Sequence, residues 1–393
     1  MCCLAASSIG LCTNAIGVFY TPVSKSLHVL KGTFAIHATL STLITALTSL
    51  KMSKLIRKYN YKKILLIGVL LSSVSTWMMS YSRSVYLFYI LGILRGIGVG
   101  IGGMVPITVI ITNWFDEKHG LATSLALSFS GLAGAIFSPL LSSWIISYGW
   151  QMTYRLMASC ILILVLPVLI VPWKIKPQEE GKLPYGYQEK KDTIKIQNKK
   201  VNLITISFIC MCIFTLLHTS ITGISQHLSG IALSIHLSAT SGAILMSLTM
   251  IGNISTKLLI GFLSDLLNPI KAVIIMILAN CFSLGLLFLG VIHQEIMLLY
   301  IGSFMFGSIY SVGAVGIPML THYFFGNENY ARTYSFIGFL TNVGSASSLT
   351  LIGYLYDFTQ SYQMVFIIAL CFHLINLILL VVICLRYNGV GDK

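Results

Sequence analysis

The sequence predicts an all-α membrane protein with twelve transmembrane helices in two pseudo-symmetric six-helix bundles. Three observations predict it. Of 393 residues, 56% are hydrophobic and only 9% charged, against about 25% charged in a soluble domain. The apolar residues fall into runs of about 20, the length that crosses a hydrocarbon core. Lys and Arg collect in alternate loops between those runs. The runs are continuous and not alternating, which excludes a membrane β-barrel. Backbone groups in lipid must bond within their own segment, so the spans are helices.

Taken in order, the first span begins almost at Met1 and lacks the basic region of a signal peptide, so 3–22 is expected to stay as a span. Span 2 (32–51) ends in the cluster Lys51, Lys54, Arg57 and Lys58, and span 3 (64–82) starts after Lys62 and Lys63. Span 4 (86–112) carries a Gly-rich run, and spans 5 (120–145) and 6 (153–173) complete the first set. A polar stretch follows, with eight lysines and four acids between Lys174 and Lys200. Spans 7 to 12 are expected near 201–224, 238–262, 270–291, 296–323, 331–355 and 363–385. The domains are therefore 1–173, a linker loop at 174–200, read as a flexible cytoplasmic tether, and 201–393.

With the linker inside, the inner loops hold 19 Lys and Arg and the outer loops four: Lys25, Lys31, Arg83 and Arg155. That asymmetry predicts a multi-pass protein of the cytoplasmic membrane with both termini inside. The net charge of +14 sits in these short loops and implies no nucleic-acid partner. The partner implied is the lipid bilayer. The nine cysteines form no Cys-x-x-Cys pair, so no metal or cofactor is expected. No Gly-x-x-x-x-Gly-Lys-Ser/Thr loop is present, which excludes ATP-driven pumping by this chain and leaves no enzyme reading.

The two halves echo each other. Asn113-Trp114-Phe115, a polar turn and Leu121-Ala122 match Tyr323-Phe324, a polar turn and Tyr330-Ala331. Trp150-Gln151-Met152 matches Tyr362-Gln363-Met364. Transporters are often built from such repeats, with substrate near the midplane.

Two charged residues fall in the interior of the spans, Arg95 and Lys257, while the other cations and all eleven carboxylates lie in loops or at span ends. Lys257 is about 12 Å along the helix from Asp265, near mid-depth. Asn253 lies one turn from it on the same face. An ammonium beside an amide, with no intramembrane acid, suits an anion. Its alternative is a structural lysine that snorkels to the aqueous edge. Arg95 sits in Leu94-Arg95-Gly96-Ile97-Gly98-Val99-Gly100, where the glycines permit close helix approach. It is expected to bond a neighbouring helix, as a structural or coupling group more than as a substrate contact.

The chain resembles the major facilitator superfamily. Gly261 to Asp265, followed by Asn268 and Lys271, is similar to that family's loop signature; the first-half counterpart, Lys51 to Arg57, has no acid. Within the superfamily the resemblance is to monocarboxylate transporters and oxalate/formate antiporter-like proteins. It rests on Trp114-Phe115-Asp116-Glu117-Lys118-His119-Gly120-Leu121-Ala122 running on to Gly131 and Gly134, and on Asn253 and Lys257 ahead of Gly261. The animal proteins carry a coupling lysine where Asn14 stands and an acid where Asn253 stands. Oxalate-type members carry a second cation where this chain has Asn342.

The resemblance implies a cavity lined by spans 1, 4, 7 and 10, so Asn14 and His218 become candidate contacts or proton relays. Tyr310 and Asn342 are candidates for the second-half wall. Gly131, Gly134 and Pro139 resemble a Gly-Pro signature in span 5 and imply a pliable helix packed against span 8. The expected function is secondary transport of a small organic anion, a monocarboxylate first, by proton symport or exchange for a counter-anion, in a protein that works as a monomer. The competing expectation is an exporter of neutral or amphipathic drug-like compounds.

Overall fold

The computed structural model describes residues 1–115, 119–186 and 205–391. Asp116, Glu117 and Lys118 of the span 4–5 junction and the linker lysines from Lys190 to Lys200 lie outside the described residues. The chain divides into two compact units, Met1–Thr193 and Ile194–Lys393. Among the described residues eleven helices are long and apolar enough to cross a membrane. One of them, Leu125–Ile170, is divided by Gly149, whose φ of 79° and ψ of 163° no helix accommodates. Division there gives the twelve expected spans. Gly149 suits the break because a left-handed φ costs a residue without Cβ nothing.

The first unit holds α1 (Cys2–Ser26), α2 (Lys31–Lys58), α3 (Tyr61–Met79), α4 (Val85–Trp114), α5 (119–148) and α6 (150–170). The second holds α7 (Ile206–Ser234), α8 (Ala239–Leu266), α9 (Pro269–His293), α10 (Ile296–Phe325), α11 (Phe336–Thr359) and α12 (Gln363–Gly391).

Some boundaries differ from those expected. Helix α2 runs on past the expected end at Lys51 to Lys58. The expected loop between spans 5 and 6 shrinks to Gly149. The segment 326–335 that joins α10 to α11 is itself helical, where a polar turn was expected.

The start of the linker is ordered. Trp114 Nε1 donates to the Lys174 carbonyl (3.0 Å), and the Tyr185 amide donates to the Trp114 carbonyl (2.8 Å). A 3-10 turn, Pro177–Glu180, closes on Gly181 at φ 67°. Lys182 donates to Glu180 at 2.9 Å, and that bond holds the Glu180 carboxyl below its ordinary range. The stretch from Lys174 to Tyr185 is therefore folded onto Trp114, where composition led to the expectation of a flexible tether. The Asn113-Trp114-Phe115 motif is what pins the early part.

Within each unit the same pairs of helices pack. In the first, α2 and α3 lie on α4, α1 lies on α5, and α3 lies on α6. In the second, α8 and α9 lie on α10, α7 lies on α11, and α9 lies on α12. The echoed triplets hold matching places: Trp150 opens α6 after Gly149, and Tyr362 precedes α12 after left-handed Gln360 (φ 53°). Asn60 and Asn268 cap α3 and α9, accepting from the amides of Lys62 (3.0 Å) and Lys271 (2.8 Å).

Small residues set the closest approaches. Gly92, Gly96 and Gly100 form one i, i+4 row on α4 that lies on α2. A methyl at these positions would run into the His37 carbonyl, the Ser41 carbonyl and the Thr48 side chain. Gly252 of α8 meets the Phe304 carbonyl and Gly307 of α10 in the same way. We expect Gly96→Leu to lower the melting temperature of the purified protein by the equivalent of at least the roughly 1–3 kcal/mol of an overpacked core. Gly261, with no neighbour near its missing Cβ, is the control: Gly261→Ala should leave the melting temperature unchanged or higher. Equal losses in both variants would contradict the packing account.

Candidate functional site

Four spans depart from regular helix near their middles. In α1, Ala6–Asn14 is π-helical and Ile16–Phe19 is 3-10. Helix α4 breaks at Gly103 (φ −86°, ψ −156°). Helix α7 breaks at the turn 220–223, and α10 has a π segment at Val312–Gly316. Backbone groups freed inside a membrane must be bonded elsewhere. Here Ser8 Oγ donates to the Gly102 carbonyl beside the α4 break (2.8 Å). These are spans 1, 4, 7 and 10, the set that the sequence resemblance assigned to the cavity wall. Sequence gave no sign of the π segments.

In the first unit, Arg95 is 1% exposed. Its Nε and Nη1 have no hydrogen-bond acceptor. Cys12, Tyr20, His37 and Tyr154 lie within reach of its charge. Aromatic rings pack on His37 and Tyr154: Phe34 and Phe88 are 5.1 Å apart edge to face, and Phe19 stacks on Tyr154 at 4.1 Å. His37 bonds the Phe34 carbonyl through Nδ1, and its Nε2 has no partner. A buried guanidinium normally meets a carboxylate. Among the described residues, this one has only a thiol, an imidazole and two phenols within reach of its charge. The bond to a neighbouring helix expected for Arg95 is absent from Nε and Nη1.

In the second unit, Lys257 is half-buried on α8, at the edge of the stripe Thr249, Asn253 and Ile260. Among the described residues the ion pair formed is Lys182 with Glu180, so neither Lys257 nor Arg95 has a carboxylate partner. Asn253 is buried. Its amide nitrogen lies 3.9 Å from the Met250 sulfur, and its Oδ1 has no partner. Lys257 and the Asn253 amide are thus one turn apart and largely unsatisfied by protein.

The other residues singled out from sequence divide into two sets. Asn14 donates to the Ser130 carbonyl of α5 at 3.1 Å, and Asn342 donates to Gly338 of its own helix at 2.9 Å. Tyr310 shares a hydrogen bond with Ser225, which ties α10 to α7 just past the α7 break. Gly131 and Gly134 are buried on α5, where Gly10 of α1 lies against Ser130 and Ala133. The helix continues through Pro139. Asp265 is exposed at the end of α8.

His218 belongs to a larger system than sequence indicated. It is fully buried, stacked on Phe214, with Nε2 3.0 Å from the Ile309 carbonyl. Its ring lies 5.7 Å from that of His373 on α12. His373 Nε2 is 2.8 Å from Asn280 Oδ1, and Asn280 donates to the Phe306 carbonyl (3.2 Å) and to Ser308 (3.0 Å). Each imidazole thus donates from Nε2, and Nδ1 on each has no partner. Sequence reading singled out His218 and not Asn280. Polar side chains at His218, Asn280 and His373 in otherwise apolar spans were the available signal.

Comparison with known proteins agrees with this architecture. The sequence pattern of the Major Facilitator Superfamily matches residues 2–235 and 208–390. The chain is 25% identical over 380 residues to the uncharacterized MFS-type transporter YcxA of Bacillus subtilis (strain 168), covering 93% of this chain and 88% of that one. It is 24% identical over 413 residues to monocarboxylate transporter 12-B of Danio rerio, covering 97% and 85%. Its fold matches the crystal structure of the nucleoside transporter NupG with a TM-score of 0.70 at 11% identity, covering 98% and 97%. It also matches a bacterial homologue of the human lysosomal transporter Spinster with a TM-score of 0.67 at 12% identity, covering 100% and 96%. The chain belongs to the Major Facilitator Superfamily, and within it is similar to the monocarboxylate transporter group.

Proposed function

We propose that this protein is a secondary active transporter that carries a small organic anion, a monocarboxylate first, across the cytoplasmic membrane by alternating access. The observation that carries the reading is the charge inventory. Arg95 and Lys257, one per unit, are held within the spans with no carboxylate partner among the described residues. A cation at mid-membrane costs at least about 2.5–3.5 kcal/mol. An anionic substrate removes that cost while it is bound, so binding favours an occluded state. The similarity to monocarboxylate transporter 12-B supports the same substrate class. A neutral amphipathic substrate would leave both cations uncompensated.

The charges assign different work to the two residues. Lys257, half-exposed and beside an unsatisfied amide, is the substrate's first contact. Arg95, fully buried, senses the anion's field or receives it later in the cycle. Proton symport is assigned to His218 and His373, whose Nδ1 atoms have no hydrogen-bond partner.

In proteoliposomes, Lys257→Ala is expected to lose carboxylate uptake by about tenfold or more, and Lys257→Arg to retain a larger share. Undiminished uptake by the alanine variant would remove Lys257 from the mechanism. His218→Gln is expected to lose the stimulation of uptake by an inward proton gradient while still exchanging substrate at equal pH. Wild-type stimulation in that variant would exclude His218 as the proton carrier.

A further inference from the structure

The first unit carries a second basic site, outside its spans. At the end opposite the Lys51–Lys63 loop, three connections surround a cavity of about 510 Å³. Its lining includes His28 from the α1–α2 connection, Ser80 and Arg83 from the α3–α4 connection, and Trp150 and Arg155 from the start of α6. The size is within the range of small-molecule sites.

The charge around this cavity has one sign. Arg83, Arg155 and His28 line it, and Lys25 and Lys31 flank it in sequence. No carboxylate lines it, and the chain has no Asp or Glu before Asp116. Arg155 is pre-set: its Nε donates to Ser80 Oγ at 3.1 Å, and its guanidinium lies over the Tyr81 ring at 4.6 Å. Neither arginine has an ion-pair partner among the described residues. His28 adopts a left-handed φ of 54°. Arginine forks aimed at one unpaired space match the oxygen geometry of a phosphate.

We propose that this cavity binds a phosphate oxyanion, the net-anionic headgroup of a phospholipid being the source the surroundings favour. The favouring feature is the apolar face of α3 that leads to its rim. Ile67, Leu70, Val74, Trp77 and Tyr81 are all exposed at helical spacing, and the Trp77 and Tyr81 rings meet at 5.0 Å. Acyl chains fit along that face while the phosphate meets Arg83 and Arg155. Bound there, the phosphate neutralises Arg83 and Arg155 and clamps the connections together. This site is independent of the transported substrate.

The test is the melting temperature of the purified full chain in neutral detergent. The probes are short-chain phosphatidylglycerol, phosphatidylcholine of the same chain length, and inorganic phosphate against chloride at matched ionic strength. Phosphatidylglycerol is expected to raise the melting temperature more than phosphatidylcholine does. Arg83→Gln, an exposed position with no partner to lose, is expected to remove most of the difference. Arg155→Lys, which keeps the charge and loses the fork, is expected to reduce it. Stabilisation by inorganic phosphate that Arg83→Gln also removes would support the site and assign it to a free oxyanion. Equal stabilisation by the two lipids with no response to phosphate, or an undiminished response in Arg83→Gln, would overturn it.

Discussion

Lipid offers a membrane helix neither a hydrogen-bond partner nor a counter-charge, and every feature of this protein follows from that. Backbone groups are bonded inside their own spans. Where α1, α4, α7 and α10 depart from regular helix, side chains such as Ser8 re-bond the freed carbonyls. Polar side chains find neighbouring backbone, as Thr45 does on Gly96 (3.0 Å) and Ser283 on Gly302 (2.7 Å). Arg95 and Lys257 are the exceptions. Neither has a carboxylate partner among the described residues, and that is the basis of the proposed function.

Each unit sets two helices closely on its fourth, through Gly92, Gly96, Gly98 and Gly100 in one and Gly252, Gly302 and Gly307 in the other. Close backbone contact replaces the hydrophobic drive that is missing between helices in lipid. In the first unit the charge, on Arg95, is buried and acts on Tyr20, His37 and Tyr154. In the second it lies at the margin of a buried stripe, with the His218–His373–Asn280 system on other helices of that unit.

Much of this was legible in the sequence. Long apolar runs fixed the spans, loop charge predicted their alternation, and Arg95 and Lys257 stood out because a charge in such a run is rare. The triplets at Trp150 and Tyr362 correctly marked matching places in the two units. What sequence could not supply was tertiary partnership. Nothing in the chain distinguishes Asn14, whose amide is held by Ser130, from an amide that faces a substrate. His373 and Asn280 gain meaning only when α9, α10 and α12 bring them together. The order at the start of the linker depends on Trp114, sixty residues away, and composition alone reads that stretch as a tether.

The central claim is that an anion completes the charge balance inside the spans. The most direct measurement is equilibrium binding, read as the melting temperature of purified protein against mono- and dicarboxylates and neutral amphipathic compounds at two pH values, since a ligand of the folded state raises it. The account predicts stabilisation by at least one small carboxylate, lost in Lys257→Ala. Stabilisation by neutral compounds and by no carboxylate would contradict it.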